Sequence, residues 1–294
     1  LNWQSTPDDY HREEHDMSTL QSLSEEQSRL WNGAGGQAWV DSQALLDELF
    51  APFEPVLIDG LQAYERVLDI GCGTGATTLA AARRQDADCV GVDVSAPMLA
   101  LAQARSEREG SRARFVCADA QSHVFDPASF DRLISRFGVM FFADPQAAFA
   151  NLRRAASDGA KLRLIVWRSA AENPFMTLAE RTAAPWLPQL PVRRPGAPGQ
   201  FAFAETQRVR ELLAASGWGV VEISPLDVPL SMPESALVPY LSRLGPVGIA
   251  LQELEEGARA ALVERLCGAF APFVRGGRVE FEAACWMIEA QAAP

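Results

Sequence analysis

The chain has 294 residues, 48% of them apolar and 22% charged, which excludes a wholly disordered polypeptide and leaves ample length to bury a core. Its formal charge of −12 repels phosphate backbones and anionic membrane surfaces, so neither nucleic acid nor membrane is expected as a partner. Five cysteines (Cys72, Cys89, Cys117, Cys267, Cys285) lack C-x-x-C spacing, and three histidines (His11, His15, His123) lack ligand spacing. Those patterns predict a reducing, cytoplasmic setting with no disulfide framework and no metal site. No run of 18 apolar residues marks a membrane span, and the first residues carry no secretory signal pattern.

Residues 1–16 are polar and begin without Met, so they are expected to be a disordered extension before a natural start at Met17. A short polar helix is predicted from Ser18 to Leu30. The segment "LWNGAGGQAWV" follows, in which Gly33, Gly35 and Gly36 are expected to break the helix. A second helix starts near Gln37, with Val40, Ala44, Leu45 and Leu49 on one face.

From Glu65 onward, short β-rich runs alternate with helical stretches. "RVLDI" precedes a helix over about 75–84, and "DCVGVDV" precedes one over about 96–109. Ser95 is placed to cap that second helix, Pro97 fits its first turn and Gly110 ends it. "ARFVCAD", "FDRLISRF", a helix near 145–156 and "AKLRLIVW" continue the rhythm. Strands and helices at this spacing predict right-handed crossovers and a parallel sheet covered on both faces. Beyond Trp167 a short helix opens at Asn173 and Pro174, and "PWLPQLPVRRPGAPG" is too rich in proline for regular structure. A helix near 205–215, a strand from Trp218 to Ile223, helices over 233–275 and a closing strand in "GGRVEFEAACWMIEAQ" complete the reading.

In a doubly wound sheet the ligand sits outside the carboxyl ends of the strands. "GCGTG" follows the first strand, where the backbone at Gly71 and Gly73 can approach a ligand closely and Gly75 opens a helix. The string fits an adenosyl cofactor or, read as G-x-G-x-x-A through Ala76, a nicotinamide or flavin. Asp69 lies inside the strand, two residues before the first glycine, where its carboxylate can meet a cationic amino group. Asp93 ends the second strand and can accept from ribose hydroxyls under either cofactor. Asp119 can accept from an adenine amine, and Met98 can pack on an adenine face.

Together "VLDIGCGTG", "VGVDVS", "CADA" and "FDRLISRFGVMFF" resemble the class I S-adenosylmethionine-dependent methyltransferases, in particular the small-molecule branch that includes ubiquinone and menaquinone biosynthesis methyltransferases. The resemblance is clearest from Glu65 to Trp167. It implies an α/β fold: a doubly wound, Rossmann-like, seven-stranded and mostly parallel sheet, its last strand antiparallel, with helices on both faces, an N-terminal helical lid and helical cap insertions. The implied organisation is a lid over 17–60, a cofactor-binding core over 61–168, an insertion or cap loop over 169–204, and 205–294 completing the sheet with a helical cap over 233–275.

The implied cofactor is S-adenosylmethionine, with S-adenosylhomocysteine as product. The resemblance puts Asp69, Gly71, Cys72 and Gly73 at its methionine part, Asp93 and Val94 at the ribose, and Met98, Asp119 and Ala120 at the adenine. Ser135 and Arg136 fall between cofactor and substrate entrance, and Trp31 or Trp39 would close the lid. The expected partner is a small methyl acceptor. Phe137, Met140, Met176, Trp186, Phe201 and Tyr240 are the expected pocket residues and favour a hydrophobic or aromatic molecule. His123 is the one named candidate base: its imidazole suits proton transfer, but a lone histidine on a loop is more often structural, and unplaced carboxylates stay open as alternatives. Two other readings stay open: a non-catalytic adenosyl-binding sensor, and a nicotinamide oxidoreductase. The second lacks a Tyr-x-x-x-Lys pair at Tyr10, Tyr64 or Tyr240.

Overall fold

The computed structural model describes residues 7–84, 87–194 and 196–293, with 7–18 as backbone only. Residues 1–6 of the expected extension lie outside the described residues, and 7–16, expected to be disordered, are instead the first turns of a helix. Strands β1 (Arg66–Ile70), β2 (Asp88–Asp93), β3 (Arg114–Cys117), β4 (Phe130–Arg136), β5 (Ala156–Trp167), β6 (Trp218–Pro233), β7 (Val274–Arg275) and β8 (Arg278–Ala292) form one sheet. The spatial order is β3-β2-β1-β4-β5-β8-β6, with β7 paired to β8 as a short addition to the seven strands expected. The first five strands are mutually parallel, and β8 lies antiparallel between β5 and β6. Because helices cover both faces, β1 is buried over Val67–Ile70 and β2 over Cys89–Asp93, which is why both read as near-continuous apolar runs.

Twelve α-helices surround the sheet among the described residues. They are α1 (Pro7–Asn32), α2 (Ala34–Asp41), α3 (Gln43–Phe50), α4 (Phe53–Leu57), α5 (Ala76–Arg83), α6 (Ala96–Glu109), α7 (Pro145–Ala155), α8 (Pro174–Ala183), α9 (Thr206–Ala215), α10 (Leu237–Arg243), α11 (Gly245–Leu251) and α12 (Glu256–Phe270). None is long and apolar enough to cross a membrane. The caps of α6 match their residues: Ser95 Oγ accepts from the Met98 amide at 3.5 Å, and Gly110 takes φ +64°.

Two further expectations change. The glycines at 35 and 36 do not break a helix; they lie buried inside α2. A Cβ on Gly36 would fall 1.9 Å from the Trp31 carbonyl, so glycine there is what lets α2 fold back against the end of α1. Strand β6 does not stop near Ile223 but runs on to Pro233, pairing with β8 as far as Pro233↔Arg278. Its prolines do not interrupt it. Pro225, Pro229 and Pro233 share one parity, and β6 is an edge strand, so all three missing amides face away from the β8 ladder.

The longer strand has a positional consequence. The last β5–β8 pair is Trp167↔Cys285, whereas β6 and β8 remain paired beyond it, over 227–233 and 278–284. This two-stranded ribbon projects past the carboxyl ends of the parallel strands, and α10, α11 and α12 are strung between its tips. The cap is thereby carried to the end of the sheet where a ligand belongs.

Candidate functional site

The glycine loop leaves β1 through Gly71, Gly73 and Gly75, all at positive φ (+65°, +54° and +85°). The Gly71 and Cys72 amides donate to the Val92 carbonyl of β2 at 2.8 and 3.2 Å, fixing the loop across the two strand ends. Asp93 tightens it further: its Oδ2 accepts from the Gly73 amide at 2.8 Å and its Oδ1 from the Ser95 amide at 2.8 Å. Burial pushes the Asp93 carboxyl up to about 6, against the pull of those two donors.

Asp69 is 1% exposed at the end of β1. Its Oδ2 accepts from the hydroxyls of Thr77 and Thr78 at 2.5 and 2.6 Å, while its Oδ1 is buried with no partner. Burial also raises this carboxyl above its ordinary range. An orphaned carboxylate oxygen beside a glycine cradle is costly unless a donor completes it, and the ammonium end of an adenosyl cofactor is such a donor. The residues present therefore fit that group. Cys72 enters only through its backbone: its thiol is turned toward Gly91, where a Cβ would lie 2.7 Å away, and burial drives its pKa upward.

At the adjacent strand ends Met98 is buried, its sulfur 3.7 Å from where a Gly73 Cβ would stand. Asp119 follows β3, and its Oδ1 accepts from the Gln121 amide at 2.9 Å. Asn151 of α7 holds the loop after it, donating from Nδ2 to the carbonyls of Ala120 and His123 at 2.9 and 2.8 Å. Ser135 is fully buried, and its hydroxyl donates to the Ile70 carbonyl at 2.7 Å while accepting from the Gly138 amide at 3.2 Å. Its side chain is thus spent on joining β4 to β1.

Helix α1 crosses these strand ends. Ser24 Oγ donates to Asp119 Oδ2 at 3.2 Å. Asn32 donates to the Val94 carbonyl at 2.9 Å and accepts from the Ala96 amide at 2.9 Å, and Ser95 Oγ donates to the Trp31 carbonyl at 2.5 Å. Trp31 meets Phe141 edge-on at 5.0 Å and Trp39 at 6.3 Å. From Trp39 the aromatic contacts continue through Phe50 (6.3 Å) and Phe137 (5.5 Å) to Trp167, on which Phe137 stacks at 4.3 Å. Phe137 reaches that stack with φ +66°, a conformation uncommon for an aromatic residue and one found at functional sites.

The remaining sequence candidates do not all converge. His123 packs edge-on against Phe125 at 4.6 Å, and Phe125 in turn against Phe130 at the start of β4. Met140 is 1% exposed and borders a small cavity with Phe142, Pro145 and Phe203 on the α9 side. Trp186 is 49% exposed under Arg265, and Phe201 lies under Arg193. Met176 is half-buried on α8, and Tyr240 sits half-buried in the cap, its hydroxyl pushed up to about 12 by burial. Ser24, Asn32, Thr77, Thr78, Gly138 and Asn151 all belong to the site and were not singled out from the sequence. Only Gly138, directly after a strand-ending "SRF", carried a local hint.

A mostly parallel doubly wound sheet with this loop and these strand-end acids defines a nucleotide-type cofactor fold. Residues 67–159 match the model of the family described as "Methyltransferase domain". The chain is 30% identical over 168 residues to the demethylmenaquinone methyltransferase of Thermus thermophilus, covering 54% of this chain and 76% of that protein. It is 30% identical over 179 residues to the aklanonic acid methyltransferase of a Streptomyces species, covering 54% and 81%. The YcgJ protein of Bacillus subtilis shares the fold, with a TM-score of 0.55 at 18% identity over 81% of this chain and 97% of that one. The chain belongs to the class I S-adenosylmethionine-dependent methyltransferases. It spans about half the length of the uncharacterized Mycobacterium tuberculosis relatives it also matches, 47% of one and 58% of another.

Proposed function

We propose that the protein transfers a methyl group from S-adenosylmethionine to a small, hydrophobic or aromatic molecule. The observation that carries the reading is the orphaned Asp69 Oδ1 beside a glycine loop whose neighbouring strands end in Asp93 and Asp119. The names of the Thermus and Streptomyces relatives, demethylmenaquinone methyltransferase and aklanonic acid methyltransferase, support a small acceptor.

In this reading Asp69 accepts from the cofactor's ammonium group, the Gly71–Gly73 backbone lies along its methionine part, Asp93 accepts from the ribose, and Met98, Asp119 and Ala120 border the adenine. Cofactor binding supplies a methyl group already activated on a sulfonium. What remains for the protein is alignment, which supplies roughly 7–11 kcal/mol in well-positioned systems. The α1 helix, Trp31 and Trp39 exclude water at the open side, and Phe50, Phe137 and Trp167 offer an apolar wall against which a flat acceptor can stack. No described side chain stands out as a base, so the acceptor's own nucleophilicity carries the step.

Thermal unfolding in the presence of S-adenosylmethionine, S-adenosylhomocysteine, NAD and NADP tests the reading. A ligand at 100 times its Kd adds about 2.7 kcal/mol, a shift of roughly 4–5 °C for a chain of this size. Shifts by the adenosyl compounds alone support it; a shift by NAD or NADP alone, or by none of the four, removes it.

A further inference from the structure

Arg136 differs from the other buried arginines of this protein. Arg105 donates to Asp47 at 2.6 Å, and Arg132 lies 3.4 Å from Glu65. Arg136, at the carboxyl end of β4, makes one long hydrogen bond among the described residues, from Nη1 to the Phe50 carbonyl at 3.4 Å, and no ion pair. Its guanidinium rests 5.4 Å from the centre of the Phe50 ring, so one of its faces is covered by an aromatic side chain. Burial lowers its pKa; Glu54, Asp69 and Asp47 oppose that shift from a distance, and Arg105 reinforces it. A guanidinium carries five donors in a planar fork, and leaving most of them unused in a partly buried place is unfavourable unless an anion completes it.

The register places this cation beside Asp69, whose Oδ1 is also unpaired. Asp69 pairs with Ile134, so Arg136, two residues further along β4, shares the sheet face on which Asp69 points. A carboxylate oxygen without a donor and a guanidinium without an acceptor therefore flank the glycine loop together.

We propose that Arg136 is the carboxylate-binding residue of this site, its fork gripping a carboxylate held next to the phenyl ring of Phe50. The proposal rests on the methyltransferase reading. Two sources can present that group: the amino-acid tail of the cofactor, whose ammonium end would meet Asp69, or an acidic acceptor stacked along Phe50 and Phe137.

Calorimetric titration of the wild-type chain, Arg136→Met and Arg136→Lys with three probes separates the cases. The probes are S-adenosylhomocysteine, 5′-methylthioadenosine (the same nucleoside without the amino-acid tail) and 1-naphthoate in the presence of S-adenosylhomocysteine. For a cofactor carboxylate, Arg136→Met weakens S-adenosylhomocysteine by about tenfold or more, leaves methylthioadenosine within twofold, and Arg136→Lys recovers part of the loss. For an acceptor carboxylate, S-adenosylhomocysteine is unchanged and naphthoate binding is lost in Arg136→Met. If all probes bind the Met variant as they bind wild type, or if methylthioadenosine is lost in step with S-adenosylhomocysteine, Arg136 only steadies the end of α3 and the proposal falls. Failure of every adenosyl probe to bind the wild type would instead overturn the methyltransferase reading, and this assignment with it.

Discussion

Gly71 and Gly138 touch backbone to backbone: a Cβ on Gly71 would stand 2.6 Å from the Gly138 Cα, and one on Gly138 would stand 2.7 Å from the Gly71 Cα. The turn after β1 and the turn after β4 are thus closed on each other, with Ser135 Oγ bridging the Ile70 carbonyl and the Gly138 amide beneath them. Neither backbone has room to yield. Gly138→Ala should cost about 1–3 kcal/mol, the usual penalty for overpacking, and weaken adenosyl ligands by displacing the glycine loop. Urea unfolding measures the first effect; an alanine variant within 0.5 kcal/mol of wild type would show that the contact is soft.

Asn151 uses its amide nitrogen on the carbonyls of Ala120 and His123, and with the Asp144 amide, which donates to Gln121 Oε1, it ties that loop to α7. Replacing it with Leu keeps the volume and leaves two acceptors without their donor, at about 1–3 kcal/mol if they stay buried. The greater change is expected in the Kd for S-adenosylhomocysteine, because Asp119 and Ala120 move with the loop. An unchanged Kd with lowered stability would make Asn151 purely a fold residue.

Asp93 sets a pH dependence whose sign is fixed by the direction of its shift. Its folded pKa of about 6 exceeds the ordinary 3.8, so its contribution to stability is complete below about pH 4 and is lost as pH rises through 6. A shift of this size corresponds to something on the order of 3 kcal/mol between those limits. Asp131, which its contact with Arg66 lowers to about 2, acts in the opposite sense and in a separate window below pH 4. The ligand-free protein should therefore lose Tm between about pH 4 and 7 and level off above, and Asp93→Asn should flatten that slope. Parallel slopes for the two proteins would contradict the assignment.

Asn32 docks the end of α1 onto the start of α6 through two hydrogen bonds, one to the Val94 carbonyl and one from the Ala96 amide. The side chain is exposed, so Asn32→Ala should change global stability by no more than about 1 kcal/mol. Its expected signature is kinetic: faster release of S-adenosylhomocysteine in stopped-flow measurements, as the helix over the strand ends opens more often. Release at the wild-type rate would mean that α1 does not guard the site.

Much of this architecture was legible because it is encoded locally. The alternation of β-rich and helical runs, the Ser95 and Gly110 caps and the glycine loop after Ile70 each depend on neighbours within a few residues, and all three stand where the sequence puts them. The aspartates at 69 and 93 were readable for the same reason, since a strand end followed by a turn fixes where its last side chains lie. What the chain did not reveal by itself depends on contacts across crossovers. The Gly71–Gly138 contact joins residues whose strands become neighbours only because β4 is laid beside β1. The edge position of β6 made its prolines harmless and carried the strand on to Pro233. His123, a lone loop histidine in the sequence, packs edge-on against Phe125, a contact that only the fold shows. Arg136, one arginine among many in the sequence, stands out because folding supplies carboxylates to the buried Arg105 and Arg132 and leaves its fork open. Periodicity and capping are short-range physics; which charge goes unanswered is decided by the order in which the strands are laid down.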